Sequence, residues 1–251
     1  MITKKFLIFL LTTMPILGLM AQDNVLDHLT VPLSNPGQPG YVEVGLMKGG
    51  VTITGYDGTE VDITSKLRSD DEKQKSPDER SRSRSRTTGE KGREGMFKIP
   101  VASSELEVEE DNNHVSIDVQ AMSNTVDLEI KVPRNTSISV NTVHDGDIVI
   151  KNVNGEIEAQ NVHGGISIQQ VSGSVAASTT HGDIKVTMNS VDANKPMSFN
   201  TFHGDVDVTL PATIKASVKI KTVQGEVYSD FQIARTENPN RIQENDRPAA
   251  R

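Results

Sequence analysis

Between residues 143 and 186 the chain reads VHDGDIVI, VNGEIEA, VHGGISI, VSGSVAA and THGDIKV, which sets Gly146, Gly155, Gly164, Gly173 and Gly182 nine residues apart. Two further copies, FHGDVDV at 202–208 and VQGEVYS at 223–229, carry Gly204 and Gly225. A fixed period means stacked units, and nine residues suit one short strand plus one turn. The residue before glycine is histidine only in alternate copies (His163, His181, His203), with His144 one place further back, so the true winding is two units long, 18–22 residues. Glycine at each turn fits a backbone with positive φ, which glycine adopts at little cost.

Aligning the windings predicts columns of like residues. Ile148, Ile166, Ile184, Val206 and Val227 form one inward column, and Ile150, Ile168, Val186 and Val208 another. Val143, Val162, Thr180, Phe202 and Val223 are expected to point inward too, beside a Thr/Asn column of Thr142, Asn161, Thr179, Thr201 and Thr222. SISVNTV (137–143) echoes SVKIKTV (217–223) at an offset of 80. Hairpin sheets pair strands adjacent in sequence through short turns. Here equivalent residues recur once per winding, which predicts parallel strands stacked about 4.8 Å apart. One winding buries almost nothing alone, so stability accumulates between neighbours. The expected fold is all-β, a parallel β-helix of about five coils.

The rest of the chain fits that plan. Residues 1–21 have the layout of a signal peptide: Lys4 and Lys5, then an apolar run from Phe6 to Met20 too short to span a bilayer, ending at Ala21. No second run of that kind follows, so the exported chain is expected to have no transmembrane span. Residues 22–40 read as an extended lead-in, and 41–230 as one solenoid domain. Alternating Val42/Val44, Val51/Ile53, Val61/Ile63, Leu106/Val108, Val115/Ile117/Val119 and Val126/Leu128/Ile130/Val132 predict strands. Segment 66–95 interrupts them; its residues 66–94 hold ten Lys/Arg and seven Asp/Glu with one apolar side chain, Leu67, a composition expected to be disordered. Residues 231–251 form a polar tail, which leaves the last coil either uncapped and open to self-association or followed by further strands in a longer chain.

Composition narrows the chemistry. There is no cysteine, hence no disulfide or thiolate site, and 34 Asp+Glu against 26 Lys+Arg argue against a nucleic-acid partner. The histidines, with Asp183 and Asp205 beside them, are candidate metal ligands. His, Asn and Asp also tolerate left-handed turns best among non-glycine residues, so the turn role is preferred and neither metal nor cofactor is expected. The calcium nonapeptide pattern is not met, because one glycine is followed directly by the acid. RSRSRSR (80–86) is a solvated run with the chemistry to grip phosphates or acidic glycans. Lys151, Asp183, Lys185, Asp205 and Asp207 could share an outer face, as a polysaccharide-active β-helix would need, but no nucleophile, metalloprotease or phosphate-loop motif accompanies them.

The segments VPLSNPG (31–37), GGVTITGYDG (49–58), LEVEEDNNHVSI (106–117), VPRNTSISVNTVHDGDI (132–148) and VQGEVYSDF (223–231) together resemble the putative-adhesin family of exported bacterial repeated-β-strand proteins. The resemblance covers nearly all of residues 31–231 and is carried by the VxG(D/E)I repeats with their VP-containing entry. It implies a right-handed parallel β-helix in the envelope and no established enzymatic activity, and the exported chain is expected in the periplasm, at the cell surface or outside the cell. Two features depart from it: the histidines stand where relatives carry Asn or Ser, and the charged insertion is long. The functional expectation is a non-catalytic envelope protein contacting glycan or envelope surfaces. The alternative is a periplasmic scaffold or sensor working through a protein partner or through self-association.

Overall fold

Alternation is the force that shapes the strands. In Tyr41–Lys48 the side chains of Val42, Val44 and Leu46 are buried while Tyr41, Glu43 and Met47 face solvent, the period-two pattern of a strand with one wet face. The computed structural model describes residues 25–68, 106–120, 124–192 and 194–233. The proposed signal peptide, most of the charged insertion and most of the polar tail lie outside the described residues.

Fifteen strands follow one another: β1 (Val25–Pro32), β2 (Tyr41–Lys48), β3 (Val51–Tyr56), β4 (Glu60–Leu67), β5 (Leu106–Asp111), β6 (His114–Val119), β7 (Val126–Pro133), β8 (Ser137–His144), β9 (Ile148–Lys151), β10 (Ile157–His163), β11 (Ile166–Gly173), β12 (Val175–His181), β13 (Ile184–Val191), β14 (Ser198–His203) and β15 (Val206–Thr209). They build two sheets. One runs β1-β4-β7-β3-β9-β11-β13-β15 and the other β14-β12-β10-β8-β2-β6-β5. The even-numbered strands from β8 to β14 and the odd-numbered from β9 to β15 pair in parallel, each with its equivalent in the next winding. Partners such as Ile138, Ile157 and Val175, then Ala176 and Ser198, are 19, 18 and 22 residues apart (138 to 157, 157 to 175, 176 to 198). Like stacks on like: His163 pairs with His181, and His181 with His203.

The core between the sheets is aliphatic. Ile53, Ile130, Ile148, Ile150, Ile166, Ile168 and Ile184 are essentially inaccessible to solvent, and each side chain so buried contributes about 1.5–3 kcal/mol of transfer free energy. Both isoleucine columns are inward as expected, thinning at the last winding, where Val206 is half-exposed.

Three expectations fail. First, windings do not stack in chain order throughout: β2 lies between β6 and β8, and β3 between β7 and β9. The β6/β7 winding therefore sits outside β2/β3 although it follows it in sequence. Second, that end is antiparallel: β4 pairs with both β1 and β7, and β5 with β6 through a tight turn at Asn112 and Asn113, both at positive φ. The lead-in is thus partly a sheet strand, and the stretch read as disordered begins as strand, because Lys66 and Leu67 complete β4 and Arg68 binds the Asp127 carboxylate and the Asp145 carbonyl. Third, the chain divides into a unit ending at Ile214 and a second from Lys215. Described residues 215–233 form no strand, and Val223 is 91% exposed. The copy around Gly225 therefore lacks the strand expected for it.

Candidate functional site: a corner of stacked imidazoles and the sheet face beside it

The windings β10/β11, β12/β13 and β14/β15 turn a corner between their two strands with the pattern Thr/Asn-x-His-Gly, and β8/β9 does so with Thr-x-His-Asp-Gly. The Thr/Asn column, not the Val/Phe column, points inward: Thr142, Asn161 and Thr179 are buried, while Val162 is 36% and Phe202 78% exposed. Strand alternation demands this, because the position next to a buried side chain faces out. The inward polar groups bond across windings. Asn161 Nδ2 donates to the Gly146 carbonyl (2.9 Å), Thr179 Oγ1 to that of Gly164 (3.0 Å) and Thr201 Oγ1 to that of Gly182 (3.0 Å). The ladder stops at Thr142, whose buried hydroxyl has no hydrogen-bond partner among the described residues, next to the interposed β2/β3 winding.

Five of the seven turn glycines (Gly164, Gly173, Gly182, Gly204 and Gly225) have positive φ; Gly146 and Gly155 do not. At Gly146 the reason for glycine is close approach instead, since a Cβ there would sit 2.2 Å from the Gly49 carbonyl carbon. Gly164 combines both demands: φ is +148° and a Cβ would meet the Gly146 carbonyl oxygen at 2.1 Å. Here the positive-φ residues near the first two turns are Asp145 and Asn152.

The acidic positions after glycine serve the backbone. Asp147 accepts the Gly165 N–H (2.7 Å), Asp183 the Asp205 N–H (2.8 Å), and Asp127 the Gly50 N–H (2.8 Å). Reading across the windings gives Asp127, Gly50, Asp147, Gly165, Asp183, Asp205. Aspartate mostly alternates with glycine, which supplies an amide and keeps like charges two windings apart. Only Asp183 and Asp205 are neighbours.

Outside this corner the imidazoles stack. Ring centroids of His144, His163, His181 and His203 lie 5.2, 5.1 and 4.9 Å apart, the last three rings within 8° of parallel. His163 Nδ1 lies 3.4 Å from the Val143 carbonyl oxygen. Lys48 is paired with His144 and continues the column by one winding; its ammonium sits 3.6 Å from Asp145. Parallel rings present their nitrogens side by side rather than toward one point, and among the described residues no three His, Asp or Glu groups converge as a metal would require. The structure thus brings His163, His181 and His203 together as a stack, and turns Asp183 onto a backbone amide. Of the residues considered for catalysis, Lys185 and Asp207 form a cross-strand ion pair at 3.8 Å.

Strand alternation directs two paired rows to the other face of β8, β10, β12 and β14: Ser139 (itself buried), Glu158, Ala176 and Ser198; then Asn141, Gln160, Ser178 and Asn200; the positions two further on, Val143, Val162, Thr180 and Phe202, continue the series. Glu158 is the one charged side chain in those rows. Sequence reasoning missed this face because it assigned its third row to the interior. It also missed the winding at 47–53, although MKGGVTI repeats VHGGISI (162–168) with Lys48 in place of His163.

The chain aligns with a putative cell adhesion protein from Clostridium sporogenes ATCC 15579 at 8% identity and a TM-score of 0.45, over 74% of this chain and 99% of the other. It aligns with a putative adhesin from Bacteroides fragilis NCTC 9343 at 9% identity and a TM-score of 0.26, over 72% and 96%. No curated protein matches. The family model for Toastrack DUF4097 matches residues 98–250, which takes in every winding from β6/β7 onward but leaves out the interposed β2/β3. The chain belongs to the Toastrack DUF4097 family.

Proposed function

We propose that the protein is an exported, non-catalytic surface-binding module whose windings run right-handed, and that it holds linear glycan through the outward face of β8, β10, β12 and β14. One observation carries this reading. In a chain with 24% charged residues, twelve positions on this sheet face, Ser139 among them covered by its neighbours, hold a single charge. Contact surfaces are distinguished by such depletion of charge, not by bulk hydrophobicity. Asn141, Gln160, Ser178 and Asn200 repeat donors and acceptors once per strand spacing, and Val162 and Phe202 offer an apolar border to sugar-ring C–H faces. A repeating polymer meets the same groups at each step.

Retention of the protein, without its leader, on insoluble neutral polysaccharides tests the reading. Retention should fall steeply in Asn141→Ala/Gln160→Ala, and no retention on any neutral or acidic polysaccharide would contradict it. A second reading, self-association, draws on β14 and β15, the last strand of each sheet among the described residues, and on exposed Phe202. It requires concentration-dependent oligomers abolished by Phe202→Lys.

A further inference from the structure

The second corner of the windings, where β3, β7 and β9 end, holds a cleft of about 240 Å³. Tyr56, Asp57, Arg134, Asn135 and Asn154 line it with Gln38 from the loop before β2. Arg134 Nε donates to Asp57 Oδ1 at 2.7 Å and Nη2 reaches Oδ2 at 3.4 Å. That bidentate pair holds the Asp57 carboxyl below its ordinary range, the hydrogen bond from Arg134 being the larger cause. The Tyr56 ring lies against Gly58, where a Cβ would come within 2.0 Å of Cε2, and its hydroxyl donates to the Glu60 carbonyl (2.9 Å). The ring is therefore fixed as one wall. The side-chain amides of Gln38, Asn135 and Asn154 make no hydrogen bond within the described residues.

We propose that this cleft binds one neutral pyranose ring, with Tyr56 as its apolar wall and the three amides and the Asp57–Arg134 pair as its hydroxyl partners. Each sugar hydroxyl both donates and accepts, and an amide group does the same from one plane. Arg134 is already neutralised by Asp57, so the cleft has no unpaired charge to favour an anion. Its volume is below that of sites for drug-sized ligands and suits a single ring. The inference rests on the glycan-contact reading above but uses another surface, separate from the sheet face.

Saturation-transfer NMR with methyl glucoside, methyl galactoside and N-acetylglucosamine as probes, and galacturonate as charged control, tests it. The intact protein should take at least one neutral probe with a Kd on the order of 1 mM. Asn135→Ala/Asn154→Ala should weaken it about tenfold or more, the loss of the hydrogen bonds of two amides, and Asp57→Ala should weaken it too. Asn141→Ala/Gln160→Ala should leave it unchanged. No transfer from any neutral probe, transfer from galacturonate alone, or transfer indifferent to both cleft variants would overturn the proposal. If polysaccharide retention survives while the monosaccharides fail, the cleft falls and the sheet face stands. If retention fails while the monosaccharides bind at the cleft, only the sheet-face reading falls.

Discussion

The windings from β8 to β15 and the region from β1 to β7 share one core but are held differently. In the first, the described strands pair with their counterparts in neighbouring windings, and the corners at Gly146, Gly155, Gly164, Gly173, Gly182 and Gly204 bring backbone against backbone. In the second, a local hairpin of β5 and β6 is joined by ties that are long-range in sequence. β4 is clamped between β1 and β7, Glu110 accepts N–H bonds from Ser34 and Asn113, and Arg68 ties Asp127 to the Asp145 carbonyl. The difference teaches where such a chain is brittle: at corners in the repeat, at ion and hydrogen-bond clamps in the closed end.

The sharpest contrast lies between two glycines. Gly164→Ala should cost about 4 kcal/mol or more, because it combines left-handed strain with an unavoidable clash. Gly37→Ala, also at positive φ but with open space around it, should cost about 1 kcal/mol. Urea unfolding of both variants measures the gap, and equal losses would break the contrast. Core residues should show none. Ile53 and Ile150 are cross-strand partners at the junction, and alanine at either should cost about 3 kcal/mol.

Thr179→Val leaves the Gly164 carbonyl without its side-chain donor and should cost about 1–2 kcal/mol, whereas Thr180→Val beside it should be close to neutral. Acid should act on the closed end. The N–H of Ser34, then that of Asn113, hold the Glu110 carboxyl below its ordinary value. A depressed carboxyl stabilises the fold above its unfolded pKa, about 4.3, and that contribution disappears as pH falls through the folded value. Thermal unfolding of Glu110→Gln should therefore be less pH-dependent below about pH 4.3 than the parent. The smallest effect is expected at the exposed imidazoles, where His181→Asn should change stability by no more than about 0.5 kcal/mol.

The repeat was legible because side chains in adjacent windings face the same neighbours: Ile148, Ile166 and Ile184 are one environment used three times. The inward Thr/Asn column misled, since an apolar residue beside a polar one usually marks the buried position. Here hydrogen bonds to glycine carbonyls satisfy Asn161 Nδ2 and the Thr179 hydroxyl inside, and Phe202 is left outside. The order of windings at the closed end was not legible at all. Nothing local in Val115 or Val42 states that β2 will be threaded between β6 and β8; that choice is made by contacts more than seventy residues apart, such as Tyr41 with His114. The corner cleft was missed for a related reason, because Asp57, Arg134 and Asn154 come from three different windings.

The interposed winding is the claim on which the rest turns, and a cysteine-free chain allows a direct test. Glu43 is the cross-strand partner of both Ser116 and Ser139, so cysteine pairs at 43/116 and 43/139 should each oxidise to a disulfide, which needs Cα atoms about 4.4–6.8 Å apart. Ser116→Cys/Ser139→Cys, two strand spacings or about 9.6 Å apart, should remain reduced within the folded monomer. Ready oxidation of that third pair, with failure of 43/139, would mean that the windings stack in chain order and would contradict the account.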